Sequence, residues 1–361
     1  MIGTLKTITV KMVAGANVAT VMIMLLVGFA DYVNPEVYPV LACLGMAFPV
    51  FLLINMLFLF FWLVFRKRMA VIPVIGYALA YVPIRIYMPV NLPEDMPDGV
   101  IKVLSYNVKG YHGKPRYDGS SDMIIDYIRS SEADIVCLQE DLPPNKSVRD
   151  AMDSIFAYTD TVHVGNKNKN AIGIYTRFPI LRKEHIPYES DGNGSVAFFL
   201  DVDGDTVIVI NNHLEATHLS PNDRRMYKDI LKGEVEGDTV RAESKRLIHK
   251  LGESAAIRAP QADSVHKYIE EKAGYPIILC GDFNDNPISY ARRTVAGGLT
   301  DCYVATGRGI GVSYNQKGFF VRIDNIMCSG DFKPYNCKVD NKIDASDHYP
   351  IYCWLKKQDK P

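Results

Sequence analysis

Residues 100–140 read VIKVLSYNVKGYHGKPRYDGSSDMIIDYIRSSEADIVCLQE. The run VIKVLSYNV is short, apolar and rich in β-branched residues, which predicts a buried strand. SSDMIIDYIRSSEA spaces its apolar residues along one helical face and predicts an amphipathic helix. DIVCLQE predicts a second strand, so the stretch opens an α/β unit of the β-α-β kind. Both strands end on polar residues, Asn107 in the first and Gln139-Glu140 in the second.

Strand-like runs recur downstream at 170–175, 180–186, 195–202 and 206–212, followed by a mostly helical stretch at about 222–273. Breaks are expected in it at Gly233–Gly237 and near Pro260. Strands return at 276–281, 319–328, 334–340 and 349–355. Many strands with helices between them predict two packed sheets flanked by helices.

Polar residues recur at the strand ends: His213 closes TVIVINNH, Asp282 and Asn284 stand in GDFN, Asp324-Asn325 in VRIDN and Asp347-His348 in SDH. Strand ends of an α/β sheet are where loops bring such groups together. Singly, each has an ordinary structural explanation: a turn residue, a solvated strand end, a hydrogen-bonded histidine.

The ordered series SYN, LQE, NNHLE, GDFN, RIDN, SDH over residues 101–354 resembles the endonuclease/exonuclease/phosphatase superfamily. The resemblance implies a four-layer α/β sandwich, two mixed sheets face to face with helices outside. It implies hydrolysis of phosphate esters, with Glu140 as principal metal ligand, Asn107 assisting and Asp347 on or near the same ion. Asp282 would position and deprotonate the attacking water, Asn284 would hold the phosphate or the aspartate, and His213 would hydrogen-bond a phosphate oxygen. His348 would do likewise or carry the proton, with Asp324 orienting its ring, and whether Asp282 or His348 is the base stays open. A set of carboxylates, amides and histidines without cysteine suits Mg2+ or Mn2+ and disfavours zinc. Ser313-Tyr314-Asn315 is read either as a pocket wall or as a surface loop, and Arg224, Arg225, Arg241 and Lys245 as a solvated helical face.

Residues 12–30, 37–65 and 69–84 lack any charged side chain. Two of these runs reach the roughly 18 residues needed to span hydrocarbon, and the third does so if Arg85 snorkels. The expected organisation is a transmembrane region of about three helices at 1–90, an extended linker at 91–99 and a catalytic domain at 100–361. Residues 1–30 also fit a signal peptide, which would leave two spans. Lys6, Lys11 and Arg66-Lys67-Arg68 are expected to stay cytoplasmic, leaving the catalytic domain extracytoplasmic, in the periplasm of a bacterial inner-membrane protein.

Six of the 40 Lys+Arg and five of the 41 Asp+Glu precede residue 100, leaving 34 against 36 in the rest. That balance gives no general attraction for a nucleic-acid backbone. A lipid head group or small metabolite is therefore favoured over DNA or RNA as the phosphate-ester substrate, with the membrane as partner and no obligate protein partner inferred. A membrane-anchored nuclease and a catalytically silent tethered binding protein are the alternatives. Seven scattered cysteines predict neither a disulfide framework nor a zinc site.

Overall fold

A computed structural model describes residues 2–113, 119–167, 169–217, 219–235, 237–316 and 321–358. The apolar N-terminal quarter is helical: α1 (Ile2–Gly28), α2 (Pro39–Ala42), α3 (Phe48–Phe65), α4 (Val71–Leu79) and α5 (Tyr81–Tyr87). Two segments, Ile8–Gly28 and Pro39–Phe65, are long and apolar enough to cross a membrane. The segments Lys67–Leu79 and Tyr81–Tyr87 would make a third span if taken together, bent by 65° between them. Within this bundle Asn17 Nδ2 donates to Asn55 Oδ1 at 3.0 Å, and Trp62 Nε1 donates to Asn17 Oδ1 at 2.9 Å. This buried polar contact ties α1 to α3, because a buried amide or indole N–H left without a partner is costly.

The chain then runs through β1 (Ile101–Asn107), α6 (Ser120–Ser131), β2 (Ile135–Gln139), α7 (Lys146–Asp153), β3 (Tyr158–Val164) and β4 (Asn170–Thr176). It continues with β5 (Ile180–Ile186), β6 (Gly194–Val202), β7 (Asp205–His213), α8 (Pro221–Lys232), α9 (Gly237–Glu271) and β8 (Ile277–Asp282). After α10 (Tyr290–Val295), β9 (Thr300–Asp301) and α11 (Cys302–Thr306) come β10 (Asp324–Cys328), β11 (Phe332–Val339) and β12 (Ile351–Lys357). The strands form two six-stranded sheets, ordered β11-β12-β1-β2-β4-β3 and β5-β6-β7-β8-β10-β9. Each is mixed, with one parallel pair at its centre, β1–β2 in the first and β7–β8 in the second.

Central strands such as β2 and β8 are buried on both faces because the other sheet covers one and helices cover the other. Val103, Ile135, Phe198, Val209, Ile278 and Ile326 lie in the layer between the sheets. At roughly 1.5–3 kcal/mol for each buried aliphatic or phenyl side chain, this layer is what holds the two sheets face to face. A polar bridge crosses it: Gln139 Nε2 donates to Asn211 Oδ1 at 2.7 Å. Gln139 is thus an inter-sheet tie and not part of the polar cluster at the strand ends. The resulting architecture is the expected two mixed sheets flanked by helices.

Several details differ from expectation. The helix α9 runs through Pro260 without a break. A proline costs about 3 kcal/mol inside a helix, and here Ala255, Ala259, Ala262 and Val265 lie buried along the same helix and offset it. Strand β3 is not predicted by the sequence because it is a half-exposed edge in which the consecutive polar residues Thr159, Asp160 and Thr161 break the apolar alternation. The predicted strand at 319–328 reduces to Asp324–Cys328, and residues 319–320 lie outside the described residues.

The segment 91–99 is extended but held against the sandwich. Asn91 Nδ2 donates to the carbonyls of Val304 (3.1 Å) and Gly307 (2.7 Å), and Lys333 pairs with Glu94 at 2.8 Å. The sandwich also docks on the helix ends. A Cβ on Gly45 would stand 2.1 Å from the Ile288 carbonyl, Arg293 stacks over Tyr32 at 3.7 Å, and Arg322 Nη2 donates to Ile86 O at 2.7 Å.

Candidate active site

Register alone brings three of the expected residues into one row. In the parallel pair β7–β8, His213 stands opposite Asp282, and in the antiparallel pair β8–β10, Asp282 stands opposite Asp324. Residues opposite one another in a sheet project from the same face, so these three side chains are neighbours. Asn107 ends β1 in the facing sheet, and Glu140 follows β2 in a left-handed conformation with φ 53°. That conformation is uncommon for a glutamate and costs on the order of 1–3 kcal/mol, a cost that recurs where a side chain must be aimed.

The contacts converge on Asp282. Its Oδ2 accepts from Asn107 Nδ2 at 3.1 Å and lies 3.6 Å from His348 Nε2 and 3.8 Å from His213 Nε2. Its Oδ1 accepts from the backbone N–H of Asn284 at 2.8 Å. The Asn284 side chain turns away and donates to Leu214 O at 2.9 Å, so this residue holds the aspartate through its backbone. His348 Nδ1 is 2.9 Å from Asp324 Oδ2, and Ser313 Oγ accepts from the N–H groups of Ile323 (3.0 Å) and Asp324 (3.1 Å). Tyr314 stands edge-on to the His348 ring at 5.2 Å, and Asn315 donates its backbone N–H to Asp347 O at 2.9 Å. Ser313-Tyr314-Asn315 is therefore a wall of the site.

Burial and charge set the proton affinities. Burial raises the Asp282 carboxyl, although His348 opposes it. For His348 burial disfavours the charged ring, but Asp324 and Asp282 outweigh it and hold the imidazolium above the ordinary histidine range. Burial lowers His213, only partly offset by Asp282. Asn170 Nδ2 lies 3.3 Å from His213 Nδ1, which places the neutral ring's proton on Nε2, facing Asp282 and Glu140.

Beside this row lie Glu140 and Asp347. Burial raises the Glu140 carboxyl; the Asn107 hydrogen bond opposes the shift and Asp347 adds to it. Burial would raise Asp347 as well, but His348 and Lys109 bring it below the ordinary carboxylate range, with Lys109 Nζ 3.0 Å from Oδ2. Four carboxylates (Glu140, Asp282, Asp324 and Asp347) thus crowd one cleft, and Asp324 Oδ1 is buried with no hydrogen-bond partner among the described residues. A surplus of hard oxygen donors of this kind suits a divalent cation. Glu140, with 36% of its side chain exposed, is the carboxylate open to solvent. Asn107 presents Nδ2 to Glu140, at 3.1 Å, while its Oδ1 accepts from Lys109 N. A second grouping is also compact: one ligand atom each of Asp282, Asp324 and His348 lie within 4.8 Å of one another.

The endonuclease/exonuclease/phosphatase family profile matches residues 104–348, which include every one of these side chains. The chain belongs to the endonuclease/exonuclease/phosphatase family. A second profile, described as a domain of unknown function (DUF8431), matches residues 10–87. No curated protein sequence matches the chain. Among solved structures, an endonuclease/exonuclease/phosphatase family protein from Bacteroides thetaiotaomicron is similar at TM-score 0.51 and 18% identity, covering 73% of this chain and 100% of its own. A mannosyl-6-phosphatase from the same organism has the same score and identity, covering 71% and 99%. D. rerio TDP2 complexed with single-strand DNA product gives 0.50 and 17%, covering 72% and 100%. At such identities the likeness is one of fold.

All eight sequence-predicted residues of this family member lie in or directly beside the cleft. Three contributors were missed. Lys109 and Asn170 sit in polar stretches with no distinguishing spacing, and Ser346, whose hydroxyl donates to Asn107 O at 2.8 Å, stands inside the quoted SDH motif.

Proposed function

We propose that the chain is a membrane-tethered, divalent-metal-dependent hydrolase of phosphate esters. The observation that carries the reading is the position of Asp282, wedged between His348 and His213 with His348 bound to Asp324. With His348 held as the imidazolium, Asp282 is the proton acceptor in the row, and its raised proton affinity suits a general base. Asp282 takes a proton from the attacking water as the water oxygen bonds to phosphorus. The ester P–O bond breaks on the opposite side, and His348 supplies the proton to a phosphoryl or leaving oxygen while Asp324 keeps the ring oriented. His213 donates from Nε2 to a phosphoryl oxygen. Asn107 holds Glu140 and Asp282 at a fixed separation.

Glu140 and Asp347 are the residues that would hold Mg2+ or Mn2+, which when bound offsets charge on the phosphate and orients it. A head group or small phosphate ester is the favoured substrate, because the catalytic region carries no cationic excess. The membrane reading divides the chain at residues 1–90, 91–99 and 100–361. Arg66-Lys67-Arg68 follow α3 at the end away from Phe48, where the sandwich docks, which supports basic residues inside and the catalytic region outside.

The test is turnover of the full-length protein on phosphatidic acid, soluble sugar phosphates and single- and double-stranded DNA, each with chelator and with added Mg2+ or Mn2+. Ester hydrolysis that disappears with chelator and returns with metal is expected. Full activity in chelator would remove the metal, and no activity on any ester would favour a binding protein.

A further inference from the structure

Beyond the catalytic row, α8 carries Arg224, Arg225, Lys228 and Lys232, which with Asp229 and Gln316 line an open recess of about 450 Å3. Its two flanks indicate what it serves. Arg224 lies within electrostatic reach of Tyr314, whose ring packs edge-on to His348 at 5.2 Å. Tyr227, on the same helix, lies within electrostatic reach of Tyr87 at the end of α5, and Tyr87 packs on Phe48 at the start of α3. The helix therefore borders the Ser313-Tyr314-Asn315 wall through Gln316, and Tyr227 turns its charge environment towards Tyr87 at the ends of the apolar helices.

The rest of the catalytic pole faces the same way. Ile288, six residues after Asp282, abuts Gly45, and Arg322, two residues before Asp324, donates to Ile86 O. The helix is also firmly set. Ser220 and Asp223 form a capping box, and Arg246 Nη1 (2.6 Å) and Lys250 Nζ (2.7 Å) of α9 grip Asp223. Those two cations are neutralised, whereas among the described residues no ion pair engages Arg224, Arg225 or Lys228.

We propose that α8 recognises the phosphate of a lipid head group, with Arg224, Arg225 and Lys228 drawing a bilayer-borne phosphate ester to the His348–Asp282 row. This rests on the membrane-tethered reading above and names its substrate class. A soluble metabolite is ordinarily held in a concave pocket that encloses it, whereas this recess is open and bordered by long cationic side chains. Basic side chains at the rim of a membrane-facing surface are matched in charge and reach to anionic head groups.

The experiment uses the full-length Asp282→Asn protein in phosphatidylcholine nanodiscs, with or without roughly one-tenth phosphatidic acid. It follows amide hydrogen exchange at residues 221–232. Phosphatidic acid is expected to slow exchange there by at least about tenfold, inorganic phosphate at millimolar concentration to leave it unchanged, and the added triple change Arg224→Gln, Arg225→Gln and Lys228→Gln to abolish the protection. Exchange in β8 and thermal unfolding report whether that variant is folded. If it is not, the single exposed change Arg225→Gln should weaken protection severalfold. Absence of protection by phosphatidic acid, equal protection by inorganic phosphate, or full protection in a folded triple variant would overturn the assignment. The assay reads no turnover, so a failed hydrolysis experiment and a failed head-group experiment are separate results.

Discussion

Gly281→Ala isolates the geometry of the active row from its chemistry. Gly281 precedes Asp282 with φ 142°, and a Cβ built there stands 1.9 Å from Asn212 O on the neighbouring strand. An ordinary carbon–oxygen approach is about 3.3 Å, so β7 and β8 would have to separate by roughly 1.4 Å at this point. The obstacle is backbone on both sides, in a parallel pair buried on both faces, and no side-chain rotation relieves it. His213 and Asp282 are the next register pair, so the separation falls on the 3.8 Å spacing between them and on the Asn107 hydrogen bond. Misplacing a reacting group by an ångström costs about a hundredfold in rate, and overpacking of this kind costs about 1–3 kcal/mol of stability. The expected result is a folded protein with a lowered Tm and kcat reduced by about a hundredfold or more on a phosphate ester with Mg2+. Gly330→Ala, with nothing within 4 Å of its added methyl, is the matched control and should be near neutral. Wild-type kcat in Gly281→Ala would refute the claim that this strand spacing positions the site.

Asp282→Asn and His348→Ala should each lower kcat by at least about a hundredfold, and a near-normal rate in either variant would remove that residue from the mechanism. Asp301→Ala should destabilise the fold by about 3–5 kcal/mol in denaturant titrations, because it leaves Arg292 buried and unpaired across a 2.6 Å contact. Burial alone would raise the Asp301 carboxyl, but Arg292 and Arg322 depress it, so its contribution is present above the ordinary carboxylate range and lost as pH falls through the lowered value. Relative to Asp301→Ala, the parent should therefore lose its advantage only in strong acid, and a gap unchanged there would contradict the pairing. Protease added outside intact right-side-out inner-membrane vesicles should reach residues 100–361, whereas survival until detergent is added would reverse the orientation.

Much of the architecture was legible because it is written in local patterns. The runs around Ser105, Cys137, Ile210 and Leu279 are apolar over strand length, and each ends on the polar residue that later stands in the cleft. Edge strand β3 and the uninterrupted α9 were not legible. The first is half exposed and polar, and the second overrides a proline through packing that local propensity does not contain. Lys109 and Asn170 carry no local signal for a related reason: their partners, Asp347 and His213, lie far away in the chain.

By itself the sequence determined the division into an apolar helical quarter and an α/β region, the order of the motifs and the chemical character of the donor set. These follow from hydropathy, periodicity and residue type, which are properties of neighbours along the chain. The tertiary structure decided what depends on strand pairing and on contacts between distant segments. Register aligned His213, Asp282 and Asp324, and left-handed backbone at Glu140 turned its carboxylate into the cleft. Docking of Ile288, Arg293 and Arg322 seated the catalytic pole on the helix ends, where the sequence showed only an extended linker. A strand displaced by one residue would reverse every side chain on it, so the site exists only in the register that the buried layer between the sheets selects.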